Sequence, residues 1–324
     1  MSTLFRQART WHRPMMLFAG LMTVMTVVAL GGLLFDDRML LAVPIWLKPF
    51  KFAVSIVAYC VTWAWLVTLL RSRQRLAHRV STVIVVFLAV EYVIILGQAM
   101  RGRASHFNVA TPLDSALFSV MGATIAALWV GTLVLTVLLL RAPIADQAAR
   151  WSIRLGAIIS LAGLALGGLM LGPTGTQLES MRTGTFTGVV GAHTVGVPDG
   201  GPGMPIAGWS TIGGDLRIPH FVGMHALQAL PLLAALLGVL ATRVPRLRHD
   251  AVRARLVLTA GLGYAGLVGL VTWQALRGQP LTAPDGWTLA AFGALVIAMA
   301  AGTVLSLRSV VSQPRLDRQL VGAP

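Results

Sequence analysis

The densest polar segment of the chain, residues 213–228, joins a Gly-rich stretch to an apolar run. Its candidate ligand-binding and acid/base residues are Asp215, Arg217, His220, His225 and Gln228. On a continuous helix, at 100° and 1.5 Å per residue, His220, His225 and Gln228 share one broad stripe, with His225 about 7.5 Å deeper. The pattern predicts that they line one cavity, with His225 as an acid/base residue or ligand. Hydrogen-bonded packing histidines are the alternative.

A second polar segment runs from Arg101 to Asn108 and carries Arg103, Ser105 and His106 between them. Gly102 within it permits a tight backbone turn. The two guanidiniums, the imidazole and the amide are therefore predicted to converge on one ligand, with His106 as an acid/base residue. The alternative is a solvated loop that caps the next helix.

Lysine occurs only at Lys48 and Lys51, whereas the chain has 24 arginines. Both lysines follow Trp46 at the start of an apolar run. Compact ammonium groups suit a lipid phosphate, a propionate or another carboxylate, so both are predicted to bind an anion. The alternative is that they snorkel at the membrane interface.

Glu91 is the only acid inside an apolar run, and Gln98 follows seven residues later on nearly the same helix face. A carboxyl group within a membrane is costly unless it is paired or protonated. Glu91 is therefore a catalytic candidate and Gln98 a ligand-binding candidate, with a buried structural acid as the alternative.

The histidine spacing gives no metal motif, because His220 and His225 are five residues apart and zinc-binding pairs on a helix are four apart. Chelation would need His106 or His193 from elsewhere. Haem and zinc stay open as cofactors, and none is assigned.

The elements that must position these groups are membrane spans. The chain is 56% hydrophobic and 11% charged, with a mean hydropathy of +0.77, which excludes a water-soluble domain. Spans of roughly 20 apolar residues are predicted at eight windows: 14–35, 52–70, 80–99, 115–140, 153–172, 219–242, 254–276 and 287–307. The long loop 173–218 between them is predicted to fold back over the helices as a lid.

The distribution of basic residues predicts the orientation of these spans. Of the 26 Lys and Arg residues, 18 lie on the side that holds both termini and 8 on the other side. Arg6, Arg9, Arg315 and Arg318 contribute at the two ends. Because positive loops are retained in the cytoplasm, both termini are predicted to be cytoplasmic, in a multi-pass protein of the cell membrane. The formal net charge of +15 then reflects membrane orientation, and no nucleic-acid partner is expected.

Two short segments of the chain have similar sequences. The sequence from Gln98 to Arg103 resembles that from Gln274 to Gln279, with Arg277 at the position of Arg101. This predicts an internal repeat of two parallel four-helix halves, residues 1–150 and 151–324, and makes Arg277 a ligand-binding candidate. The layout resembles that of the haem A synthases, but their Glu-x-x-x-His motif is missing here and no residue is carried over.

These features predict an all-α integral membrane protein with an outward-facing polar site between its halves. The site is expected to bind an anionic small molecule, a lipid headgroup, or a haem or metal cofactor. A membrane-embedded enzyme, a small-molecule transporter and a non-catalytic assembly or sensor protein all remain open.

Overall fold

The computed structural model describes residues 10–40 and 42–308, which form ten α-helices and four two-residue strands. The helices are α1 (Arg13–Phe35), α2 (Leu47–Val67), α3 (Gln74–Met100), α4 (Pro112–Leu140), α5 (Gln147–Leu166), α6 (Gly175–Thr183), α7 (Arg217–Met224), α8 (Ala226–Leu240), α9 (Asp250–Leu276) and α10 (Gly286–Arg308). The strands pair antiparallel, β1 (Met39–Leu40) with β2 (Val43–Pro44) and β3 (Thr194–Val195) with β4 (Gly214–Asp215). Arg6, Arg9, Arg315 and Arg318 lie outside the described residues.

In the described part of the chain, seven helical stretches are long and apolar enough to cross a bilayer. They are α1, α2, α3, α4, α9, α10 and the continuous stretch Gln147–Thr183, which begins with α5. Helices α7 and α8 pass the same test only together, as a pair bent by 42°. The predicted class is therefore confirmed: the chain is an all-α, multi-pass membrane protein with seven such stretches, or eight when the bent pair counts as one span.

Helix α2 begins at Leu47, whereas the predicted window began at residue 52. Pro49 sits in its first turn, where a missing backbone N–H leaves no intrahelical bond unmade. The earlier start brings Lys48 and Lys51 into the helix and fixes their direction relative to the bundle.

The continuous helix predicted over 219–242 is broken at His225, between α7 and α8. A break inside hydrocarbon frees carbonyl groups that need donors from the protein. The Ser160 hydroxyl of α5 donates to the Met224 carbonyl at 2.7 Å, and the Tyr264 hydroxyl of α9 donates to the Val222 carbonyl at 2.6 Å. Neighbouring helices thus stabilise the broken backbone.

Two glycines allow α5 and α7 to approach closely. A Cβ atom on Gly163 would lie 2.3 Å from the carbonyl carbon of Gly223, a separation that real side chains do not show. Such contacts between small residues are typical of helix pairs in membranes. The approach also brings the α5 backbone within reach of side chains on α7.

The helices pack in two groups. In the first, α1 packs on α2, α2 on α3, and α3 on α4, around a buried apolar core that includes Trp63. In the second, α5 packs on α7, α8 and α9, and α10 packs on α9. Contacts of α4 with α5 and of α2 with α8 join the groups. The predicted domain boundary at residue 150 stays a prediction.

Four connecting segments, 36–46 apart from residue 41, 101–111, 167–216 and 277–285, meet at one end of the bundle, called here the loop end. The Val109 amide donates to the Gly188 carbonyl at 2.8 Å, and the Val190 amide donates to the Phe107 carbonyl at 2.9 Å. The long loop therefore folds back onto the helix ends and is tied to the 101–111 segment by backbone hydrogen bonds.

Candidate functional site

Lys48 is a half-buried cation at the loop end. Its ammonium group makes no hydrogen bond and no ion pair with any described residue. Lys51, Arg217 and Glu91 lie within electrostatic range of it. Arg217 is paired with Asp215, so the cation of this group without a carboxylate partner among the described residues, besides Lys48 itself, is Lys51.

Lys51 and Arg217 hold the long loop in place. The Lys51 ammonium donates to the Ala207 carbonyl at 2.9 Å, and Arg217 donates to the Gly208 carbonyl at 2.6 Å. Arg217 also forms an ion pair with buried Asp215 at 2.6 Å, and that carboxylate accepts the backbone N–H of Ser210 at 2.8 Å. These predicted ligand-binding residues are engaged with the chain itself, and their contacts fold the loop against α2.

Glu91 lies buried on α3 with a partner on the neighbouring helix. The Thr124 hydroxyl of α4 donates to its carboxyl group at 2.6 Å, and Thr124 itself also bonds to the Val120 carbonyl. The charges of Glu91 and Lys48 act on each other, but the two side chains form no ion pair.

His106 lies among the cationic and imidazole groups of the loop end. Burial, followed by the charges of Lys48, His193 and His220, holds the pKa of His106 well below its ordinary value. Its Nδ1 lies 3.1 Å from the Ser105 hydroxyl. The 101–111 segment, α2, α7 and the long loop each contribute one of these groups, so the site draws on both groups of helices.

The sequence indicated His193 only as a possible metal ligand, and the structure places its ring against that of Phe107, which also contacts His106. The Asp199 carboxylate accepts its Nδ1–H at 2.8 Å and also accepts the backbone N–H groups of His193 and Thr194. Burial opposes ionisation of Asp199, but the hydrogen bond and charge of His193 hold the Asp199 pKa below its ordinary value. The pKa of His193 is also lowered, chiefly by burial. The signal in the sequence was the Pro-Asp-Gly turn at 198–200, which returns the carboxylate to the histidine.

The helix that carries His220 and His225 bends by 42° at His225, and the two side chains have different hydrogen-bond partners, while the charge of His225 still acts on His220. The predicted common stripe stays a prediction. His220 Nδ1 lies 2.8 Å from the Gly163 carbonyl of α5. His225 instead lies 3.3 Å from the side-chain oxygen of Gln228, whose amide donates to the Thr62 hydroxyl of α2 at 3.2 Å. His225 and Gln228 thus form a deeper polar link between α8 and α2.

Gln98 and Arg101 lie at the end of α3 and contact the start of α4. Arg101 bonds to Gln98 and forms an ion pair at 3.1 Å with Asp114, a buried acid in the first turn of α4. The Gln98 amide donates to the same carboxylate at 2.8 Å. These predicted ligand-binding groups connect the end of α3 to the start of α4.

Arg277 has the equivalent place at the end of α9. It forms an ion pair with Asp285 ahead of α10 and lies 4.4 Å from the ring centre of Trp273. Gly278 follows it with φ +72°, as Gly102 follows Arg101 with φ +66°. The two similar sequence segments therefore terminate α3 and α9 in the same way. The internal repeat itself remains a proposal.

The remaining two predicted residues differ in their surroundings. Arg103 is exposed, and its side chain has no hydrogen bond or ion pair with a described residue. Asn108 is buried, donates to the Ala104 carbonyl at 3.1 Å and accepts the Ala110 amide at 3.1 Å. Asn108 therefore shapes its loop.

Among the described residues, no three His, Cys, Asp or Glu side chains lie close enough together to hold a metal ion. Comparison of the chain with protein-family models, curated proteins and solved structures returns no match. The function is therefore inferred from the chemistry of the loop end: an ammonium group with no counter-ion among the described residues, within electrostatic range of Lys51, His106 and His193.

Proposed function

We propose that the chain is an eight-span protein of the cell membrane, with both termini in the cytoplasm and its loop end outside. At the loop end, between the two four-helix halves, it binds an anionic small molecule or a lipid headgroup. The even alternation of basic loops and the count of the bent pair α7–α8 as one span support this topology.

Lys48 carries the proposal. A cation removed from water is costly unless it is paired, and no described residue pairs with it. Glu91 is already hydrogen bonded to Thr124, while Lys51 adds positive charge nearby. A carboxylate or phosphate bound here would accept hydrogen bonds from the ammonium group and balance the surplus charge.

Binding of anionic and zwitterionic lipids to the detergent-solubilised protein, measured by native mass spectrometry, tests the proposal. We expect phosphatidylglycerol to bind in preference to phosphatidylcholine, and Lys48→Gln to weaken phosphatidylglycerol binding about tenfold, as expected for loss of one charge-assisted hydrogen bond. Arg182→Gln is the matched control, because it removes an exposed charge of the long loop that lies outside the predicted site. Equal binding of phosphatidylglycerol by the wild type and by Lys48→Gln would contradict the proposal.

The same purified protein tests the cofactor alternatives. Under this proposal the absorption spectrum lacks a Soret band and metal analysis finds no stoichiometric zinc. Either signal would favour a haem or metal site instead.

A transporter is the second candidate, favoured by the break at His225. Broken helices line substrate sites in many secondary transporters, and the link from His225 through Gln228 to Thr62 joins the two helix groups at the break. Uptake of a bound anion into proteoliposomes would establish transport, and binding without uptake would exclude it for that anion.

A further inference from the structure

Two imidazoles at the loop end, those of His193 and His220, are each held in one tautomer by an oxygen acceptor that carries no hydrogen. His193 Nδ1 lies 2.8 Å from the Asp199 carboxylate, and His220 Nδ1 lies 2.8 Å from the Gly163 carbonyl. In both contacts the ring nitrogen must be the donor. A neutral imidazole has only one N–H, so the Nε2 atom of each ring is a hydrogen-bond acceptor.

Both Nε2 atoms are free to accept from a ligand. Neither has a hydrogen-bond partner among the described residues, and both rings are half-buried. The lowered pKa of His193 favours its neutral form. His193 comes from the long loop and His220 from α7, so two separate segments present the same kind of acceptor.

The two acceptors belong to the site of Lys48. The Leu216 amide donates to the His193 carbonyl at 2.9 Å, and the Leu216 carbonyl accepts the His220 amide, so Leu216 joins the two histidines. The Phe107 ring contacts the rings of His193 and His106, and the His106 ring contacts Phe52, one helical turn from Lys48 on α2. The site therefore combines one ammonium donor with two imidazole acceptors. An anion without hydrogen-bond donors would engage Lys48 and leave both acceptors unmatched.

We infer that the ligand is an anion that carries hydroxyl groups next to its charged group, of which a polyol phosphate is the simplest kind. The inference rests on the proposed function and specifies its ligand. The anionic oxygens accept from Lys48, and the hydroxyl groups donate to Nε2 of His193 and His220. Sites that bond to a ligand hydroxyl discriminate strongly against analogues that lack it.

A pair of lipids with the same charge tests this inference. Phosphatidylglycerol has two headgroup hydroxyls, whereas phosphatidylmethanol has the same phosphodiester charge and none. In native mass spectrometry we expect the wild type to bind phosphatidylglycerol about tenfold more tightly, as expected for one net hydrogen bond. Soluble glycerol phosphate as a competitor separates the two sources: displacement of the lipid identifies a free polyol phosphate as sufficient, and its failure assigns recognition to the lipid headgroup.

His193→Asn and His220→Asn are the decisive variants. The asparagine amide nitrogen replaces Nδ1–H and keeps the bond to Asp199 or Gly163, while the Nε2 acceptor is lost. We expect each variant to lose most of the preference for phosphatidylglycerol without weaker binding of phosphatidylmethanol. Lys48→Gln, in contrast, should weaken both lipids.

The outcomes separate the two proposals. Equal binding of the two lipids by the wild type, together with a loss of both in Lys48→Gln, would overturn the hydroxyl inference and leave the anion site standing. Lipid binding that depends neither on the charge of the lipid nor on Lys48 would overturn both the anion site and the hydroxyl inference. A preference for phosphatidylglycerol that both Asn variants retain would also overturn the assignment of the acceptors.

Discussion

Lys48 differs from other basic residues of the loop end in what surrounds it. Arg101, Arg217 and Arg277 each have an aspartate within ion-pair distance, whereas Lys48 has only the more distant charge of Glu91. An arginine with an aspartate partner contributes little net charge to its surroundings. The positive character of the site is therefore concentrated at Lys48 and Lys51.

Glu91 should oppose anion binding, because its charge acts on the same cation. Glu91→Gln keeps an oxygen that can accept from Thr124 and removes the charge. We expect it to strengthen phosphatidylglycerol binding about threefold, the size of a weak charge interaction, as measured by native mass spectrometry. Thr124→Val tests the hydrogen bond separately, and weaker binding in Glu91→Gln would show that Glu91 itself contacts the ligand.

The lowered pKa of His106 predicts that acid destabilises the fold. In the unfolded chain this histidine takes its ordinary pKa of about 6.5, whereas the folded state holds the pKa well below that value. Below about pH 6.5 the unfolded state binds more protons, so the free energy of unfolding falls as the pH is lowered. We expect a Tm several degrees lower at pH 5 than at pH 7.5 in detergent.

His106→Gln should reduce this pH dependence, since it removes the group that resists protonation. His249→Gln, an exposed histidine at the opposite end of the bundle, is the control and should retain the wild-type dependence. An unchanged dependence in the His106 variant would assign the effect to other residues, of which His193 is the first candidate.

The sequence revealed the residue types of the site but not their partners. Lys48 and Lys51 look alike in the sequence, and only the folded loop distinguishes them, because Ala207 gives Lys51 an acceptor. His193 depends on Asp199 in a turn, and His220 depends on a carbonyl of another helix. Such contacts arise between segments distant in sequence, so residue spacing does not contain them.

At the scale of the elements, the close contact of α5 with α7 predicts that a larger side chain at Gly163 destabilises the protein. Gly163→Ala would place its Cβ against the backbone of Gly223, and we expect a loss of about 1–3 kcal/mol, typical of overpacking. Gly238→Ala is the matched control, because a Cβ there meets nothing within 4 Å. Thermal unfolding in detergent measures both, and equal stability of the two variants would show that the helices separate easily.

The helical spans were predictable because each needs only a local run of apolar residues. The break between α7 and α8 was not predictable from the residues of these two helices. It depends on hydroxyl groups of Ser160 and Tyr264, which lie on other helices and bond to the freed carbonyls. The stripe predicted for His220, His225 and Gln228 assumed an unbroken helix, and the bend at His225 could not be foreseen for the same reason.

At the scale of the whole molecule, the proposed topology predicts which loops face the cytoplasm. With Cys60 replaced by alanine, single cysteines at Arg103 and Thr185 should react with a membrane-impermeant maleimide on intact cells. Cysteines at Ala145 and Arg246 should react only after the membrane is permeabilised, because their loops belong to the basic side. The reverse pattern would invert the topology and place the anion site in the cytoplasm.

The bent span has a consequence for how the protein is made. Helix α7 has only eight residues, and the carbonyls at its end are bonded by α5, which is synthesised before it, and by α9, which is synthesised after it. Lipid offers no substitute donor. We therefore expect the bent pair α7–α8 to insert stably only together with α5 and α9, whose Ser160 and Tyr264 hydroxyl groups supply these donors.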